Sequence, residues 1–166
     1  GLLVSQVMIF SAWKEAKFGT VANLIMLVGA LPAYGAWRFN AMIRSELPAF
    51  QSAASAPAEV VADSQLAPLP SIVQAWLRNS GVVGKPMTQA AQLVQTGRMR
   101  TTPDGAWMPV TARQFFRTSP PGFYWTADVH AAPFISLAGR DRLQDGHGHM
   151  LIKALSLYPV ADAHGP

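Results

Sequence analysis

Twenty consecutive residues, Phe18 to Trp37 (FGTVANLIMLVGALPAYGAW), contain no Asp, Glu, Lys, Arg or His. As a helix they extend about 30 Å, the thickness of a bilayer's hydrocarbon core. A core helix of a water-soluble protein keeps a polar stripe. Here Thr20 and Asn23 are the only clearly polar residues before Tyr34. Gly19, Gly29, Gly35 and Pro32 are easier to accommodate in a membrane helix than in a water-exposed one. Trp13 and Phe18 at one end, and Tyr34, Trp37 and Phe39 at the other, suit interfacial aromatic belts. The stretch predicts a transmembrane helix over about 18–39.

Residues 1–13 (GLLVSQVMIFSAW) are also uncharged but too few to span. They read as part of an earlier membrane helix, joined by a tight polar turn at Lys14, Glu15 and Lys17, so that 1–40 forms a helical hairpin. Small residues at Gly19, Ala22, Gly29 and Ala33 are the expected sites of close helix packing. Lys14 and Lys17 on one side balance Arg38 and Arg44 on the other. The positive-inside rule therefore leaves the side of the remaining chain undecided; the reading leans to the periplasmic side.

Charge sorts by region. Residues 1–70 hold four basic and four acidic residues, whereas 71–166 hold nine basic and five acidic ones, so the net +4 lies entirely in the second part. All four His are there too, at 130, 147, 149 and 164. With 50% hydrophobic and 13% charged residues the chain is no disordered polymer. With no Cys it carries neither a disulfide scaffold nor a thiolate-ligated metal.

Residues 41–70 read as a linker, rich in Ala, Ser and Pro from Leu47 onward. Ser71 is a candidate cap for a short helix with Ile72, Trp76 and Leu77 at helical spacing and Gly81 as its stop. Beyond it the period changes to two. In FYWTADVHA, Phe123, Trp125, Ala127, Val129 and Ala131 share one face, and Tyr124, Thr126, Asp128 and His130 the other. Residues 92–100, 107–117, 135–143 and 149–157 also read as strands. Turn signals at Pro103-Asp104-Gly105, Pro120-Pro121-Gly122 and Asp145-Gly146 separate them. Short connections imply an antiparallel meander of about five strands over 71–166.

Three constellations are candidates for chemistry. His147-Gly148-His149 beside Asp145 puts two imidazoles on one strand face at a spacing a metal bridges, although zinc needs a further ligand; a polar hairpin turn explains the same residues. Arg98 and Arg100, Arg140 and Arg142, and Arg113 and Arg117 form same-face pairs. Together they suit phospholipid headgroups or an acidic partner, or a solvated face. Adjacent Phe115-Phe116 and Tyr124-Trp125 put aromatics on both faces, so Phe116, Tyr124 and Trp125 suggest apolar surface awaiting a cover. Asp128, Asp141 and Asp145 have no spacing that pairs them for acid–base work. No nucleophile elbow, phosphate loop or dinucleotide fingerprint occurs, and nucleic acid is not expected as a partner.

Residues 4–40, together with LPSIVQAWLRNSGVVGKP, QTGRMR, WMPVTARQFF, PPGFYWTADV, GRDRLQDGHGHMLIK and PVADAHGP, resemble a family of uncharacterised bacterial membrane proteins ending in a domain of unknown function. That domain is in turn similar to the curved, lipid-accommodating sheets of lipoprotein carriers. Members of the family usually extend further at both ends, so the chain is read as a portion of a longer protein. The resemblance implies a membrane-anchored α+β fold in the bacterial inner membrane: a helical hairpin whose first helix is partial, then a curved antiparallel β-meander domain with one short helix. It supplies no activity and no cofactor. The expected role is non-enzymatic: an accessory or structural subunit of a multi-subunit membrane complex, respiratory or photosynthetic, with the bilayer and other membrane subunits as partners. The alternatives are a tethered lipid- or lipoprotein-binding module with bound phospholipid, and a metal-dependent hydrolase.

Overall fold

The computed structural model describes residues 1–52 and 59–166. The chain begins with helix α1 (Leu2–Ser11), a single turn α2 (Trp13–Ala16) and a long helix α3 (Gly19–Ser52). The polar turn between α1 and α3 falls where Lys14, Glu15 and Lys17 predict it. The two helices pack through a polar cluster: Asn23 Nδ2 donates to Gln6 Oε1 at 3.0 Å and to Ser5 Oγ at 3.2 Å, and Gln6 Nε2 donates to Thr20 Oγ1 at 3.1 Å. Gly19 makes the close approach, since a Cβ there would stand 2.8 Å from Ile9 Cδ1.

Helix α3 runs 34 residues, well past the expected end near 39 and through the first part of the expected linker. Pro32 and Pro48 both lie inside it. The reason is tertiary: Phe39, Met42, Ile43, Glu46 and Phe50 recur at three- and four-residue spacing and bury against the sheet. Residues 53–58 of the expected linker lie outside the described residues. Beyond them, backbone bonds between Val61 and Lys85 and between Met87 and Glu59 close a loop that contains a 3-10 turn (Asp63–Leu66) and helix α4 (Ser71–Asn79). Ser71 is the first residue of α4 rather than its cap, and Gly81 follows at φ 69° as the stop. Arg78 holds Asp63 through two hydrogen bonds of 2.7 and 3.1 Å, which lower the Asp63 pKa.

The rest is one six-stranded antiparallel sheet in sequence order: β1 (Ala90–Met99), β2 (Met108–Thr118), β3 (Pro121–Ala132), β4 (Ile135–Gln144), β5 (His147–Ala154) and β6 (Tyr158–Gly165). Five of these match the predicted meander. The sixth is new: the run 149–157 is β5 plus its turn, in which Leu155 and Ser156 take positive φ (51° and 57°) without a Gly to announce it. The Asp145-Gly146 turn forms as predicted, both residues at positive φ.

Directly opposed residues share a sheet face. The register therefore aligns Arg113, Thr126, Arg140 and Leu151 on one face, with Phe115, Tyr124, Arg142 and His149 beside them. Helix α3 lies on this face. Phe39 packs with Ala138 and Leu151, and Phe50 tilts against Tyr124 with ring centroids 6.0 Å apart. The opposite face carries Leu93, Ala112, Phe116, Trp125, Val129 and Met150 by the same alternation. On that face Ala112 and Val129 are buried, whereas Leu93, Phe116 and Met150 are exposed.

Candidate functional site

Five of the predicted arginines, at 98, 113, 117, 140 and 142, do project from one face, the one under α3. They do not form one surface patch. Arg117 and Arg140 are almost fully buried, so neither is available to a headgroup or partner. Arg140 Nη1 donates to the His149 carbonyl at 3.0 Å, and its Nε stands 3.4 Å from Glu46 Oε2 on α3. Arg117 donates to the Phe50 carbonyl (3.3 Å) and to Asp145 (2.9 Å), with its guanidinium 4.7 Å from the Phe50 ring centroid. It thereby sets a cation against the last turn of α3, the negative end of the helix dipole. Burying these charges is tolerable only because each meets an acid or carbonyl of the helix or turn. The sequence offers no separate sign that they would be covered, because the cover comes from the extra turns of α3.

Tyr124, expected on the apolar surface, is likewise buried. Its hydroxyl donates to Glu46 Oε2 at 2.9 Å. Burial first, then that hydrogen bond, pushes the Tyr124 pKa well above the ordinary phenol value. Phe116 is exposed and Trp125 half-buried on the other face, where the Trp125 indole donates to Gln95 at 3.0 Å. Arg98 and Arg113 are exposed. Arg100, just past β1, stacks over Trp107 at 4.8 Å.

Beside α3, where the helix leaves β1 and β2 uncovered, lies a cavity of about 460 Å³. Phe39, Ile43 and Leu47 form its helical wall; Val94, Phe115, Thr111, Thr126, Asp128 and Arg113 line the sheet side. Its volume falls within the range of small-molecule sites, and Asn40, Thr96 and Ser156 add to its polar lining.

Three of the four histidines, His147, His149 and His164, gather at the other edge of the same face, while His130 lies on β3. His149 and His164 are directly opposed on β5 and β6. Their rings stack at 3.9 Å, and both Nε2 atoms address Asp162 Oδ1, at 2.8 and 3.3 Å. The hydrogen bond from His149 is the main cause of a lowered Asp162 pKa. The predicted trio of His147, His149 and Asp145 is therefore redistributed. Asp145 is held by Arg117, His147 lines the cavity of about 440 Å³ next to His149 and His164, and the partners of His149 come from β6. No sequence spacing could supply them, since the pairing depends on a strand the periodicity missed.

Of the predicted helix-packing residues, Gly19 packs as expected on α1. Ala22 and Ala33 are exposed and Gly29 faces open space. The close approach to the sheet is at Gly35, where a Cβ would stand 2.7 Å from Leu157 Cδ2 and 3.0 Å from the Ser156 carbonyl.

Residues 59–166, the α4 loop and the entire sheet, match a family of unknown function, DUF6544. The chain belongs to the DUF6544 family. No curated protein and no solved structure matches it. The DUF6544 match omits α3, yet in this chain α3 supplies the apolar and acidic groups that cover the sheet's arginine-bearing face.

Proposed function

We propose that this DUF6544 protein is a non-enzymatic, membrane-anchored module of the bacterial inner membrane that holds an anionic amphiphile, a phospholipid, in the groove between α3 and strands β1–β2. The observation that carries the reading is that one uninterrupted helix serves both ends. Its first half, from Val21 to Leu31, exposes Val21, Leu24, Ile25, Met26, Leu27, Val28 and Leu31. Its second half forms the groove wall. The helix is long and apolar enough to cross a membrane by length and composition.

The topology supports the same orientation. In a meander, alternate turns lie at one end of the sheet, here β1–β2, β3–β4 and β5–β6. Gly35 abuts the β5–β6 turn while Phe50 reaches Gly122 at the opposite end, so the apolar half of α3 leaves past the first group of turns. That end carries Phe134, 99% exposed at a positive φ of 63°, along with exposed Trp107, Ile135 and Tyr158 and the cation Arg100. Aromatic tips with arginine are the composition of a membrane interface. The groove opens just above it, with Arg113 and three threonines for a headgroup and Phe39, Ile43, Leu47 and Val94 for chains.

The test is native mass spectrometry of the full chain from mild detergent. Stoichiometric phospholipid is expected, and Arg113→Glu, an exposed change, is expected to deplete it without lowering thermal stability. Lipid-free protein, or lipid unaffected by Arg113→Glu, overturns the reading. A second reading, an accessory subunit docked on other membrane proteins, is favoured by the exposed Leu93, Phe116 and Met150 on the sheet face opposite α3, and by exposed Ile72 and Trp76 on α4. Reproducible co-purifying subunits would support it.

A further inference from the structure

Strands β5 and β6 bring together two imidazoles and one carboxylate whose ligand atoms all lie within 4.8 Å of one another. We propose that His149, Asp162 and His164 form a binding site for a divalent first-row transition metal of the zinc class.

Four observations carry this. The chemistry of the set fits: two imidazole nitrogens and one carboxylate oxygen suit zinc and its neighbours, at about 2.0–2.2 Å from the ion, and are too nitrogen-rich for calcium or magnesium. The groups already converge, because both Nε2 atoms point at one Asp162 oxygen, at 2.8 and 3.3 Å. An ion entering between them takes the place of the proton that now bridges imidazole and carboxylate. The scaffold is fixed from behind: the buried Arg140 guanidinium donates to the His149 carbonyl at 3.0 Å, tying the ligand's own peptide beneath α3. Such outer contacts orient first ligands. The site is also reachable, lying beside a cavity of about 440 Å³ lined by His147, His149 and His164.

The charges facing the site are compatible with a cation. Arg142 lines that cavity, but it stands 3.8 Å from Glu46 Oε2. Asp145, also at the rim, is engaged by Arg117. Three protein ligands leave a fourth position open for water or for His147 from the same rim. The metal would staple β6, the last strand of the sheet, to β5.

The experiment uses the full chain in detergent, purified through a handle without histidines and equilibrated with Zn²⁺ alone. One ion per chain is expected at micromolar free zinc. His164→Ala, Asp162→Asn and His149→Ala are each expected to weaken binding more than about tenfold, the loss that even an outer-shell partner costs. Asp162 and His164 lie on the edge strand β6, so melting curves of their variants without metal are expected to change little, whereas the zinc-induced rise in melting temperature disappears in each variant. Substitution by Co²⁺ is expected to give visible absorption bands that His164→Ala abolishes. Absence of stoichiometric zinc, or zinc retained with unchanged affinity in His164→Ala, overturns the site. Retained zinc in His164→Ala with loss in His147→Ala would assign the ion to a different ligand set and overturns it equally. None of these outcomes depends on lipid in the groove.

Discussion

The Tyr124 hydroxyl on β3 donates its hydrogen bond to Glu46 Oε2 on α3 at 2.9 Å, and that same oxygen stands 3.4 Å from Arg140 Nε and 3.8 Å from Arg142 Nη1. One carboxylate oxygen thus answers a phenol and two guanidinium groups from two strands. With Arg117 on the Phe50 carbonyl, it fastens the second half of the helix to the sheet.

Glu46→Ala leaves the Arg140 charge buried without its acid. Removing one partner of a buried pair costs about 3 kcal/mol. Denaturant unfolding followed by tryptophan fluorescence is expected to register that loss, with a much smaller one for the half-buried Arg142→Ala. A Glu46→Ala protein as stable as the parent would remove the carboxylate from its proposed role as a fastener.

Alkali acts on the same contact. Because the folded-state pKa of Tyr124 is raised above the ordinary phenol value near 10, folded and unfolded chains bind the same proton below that pH. Above that pH the unfolded chain releases it first, so the stability from this group is lost as pH rises toward the folded-state value. Parent protein is expected to show an alkaline decline in stability beginning near pH 10, and Tyr124→Phe a shallower one from a lower starting stability. Parallel pH profiles for the two proteins would refute the assignment.

Gly35 and Gly29 lie six positions apart on α3 and should answer oppositely to alanine. A Cβ at Gly35 enters Leu157, at 2.7 Å, and the Ser156 carbonyl, whereas one at Gly29 meets nothing within 4 Å. Overpacking at Gly35→Ala costs about 1–3 kcal/mol. Gly29→Ala is expected to be neutral or to gain up to about 1 kcal/mol from helix propensity. Paired melts check the contrast.

Asn23 is the buried polar residue of the helical hairpin. Asn23→Leu removes its bonds to Ser5 and Gln6 and is expected to weaken the α1–α3 pairing by about 0.6–1.7 kcal/mol, the range for such bonds between membrane helices. A lower melting temperature of the full chain in detergent, relative to the parent, is the expected result, and an unchanged one would remove Asn23 from this role.

The strand pattern was legible wherever a residue's partner lay nearby in sequence. Alternation in 123–131 and the Asp145-Gly146 pair carry their own geometry, and β3 and its neighbours fall where they predict. What escaped depended on distant contacts. Pro48 marks a break in local terms, yet α3 continues through it because Phe50 has Tyr124 and Arg117 to pack on. The turn at Leu155 and Ser156 lacks Gly or Asn, so β6 stayed hidden and Asp162 and His164 with it. The alternation puts Arg113 with Arg117 and Arg140 with Arg142 on one face of their strands, as in the register, while Arg100 lies past β1; a two-residue period cannot tell an open face from one lying beneath a helix.

The continuity of α3 has a mechanical meaning. Its 34 residues form a rod about 50 Å long. On the membrane reading, a lean of about 20°, ordinary for spanning helices, carries the far end sideways by roughly 17 Å. The sheet, clamped along the upper half, has no attitude of its own and must swing with it. Bilayer thickness, which sets that lean, would then steer which way the groove and the β6 edge face: the anchor becomes a gauge, and the sheet its pointer.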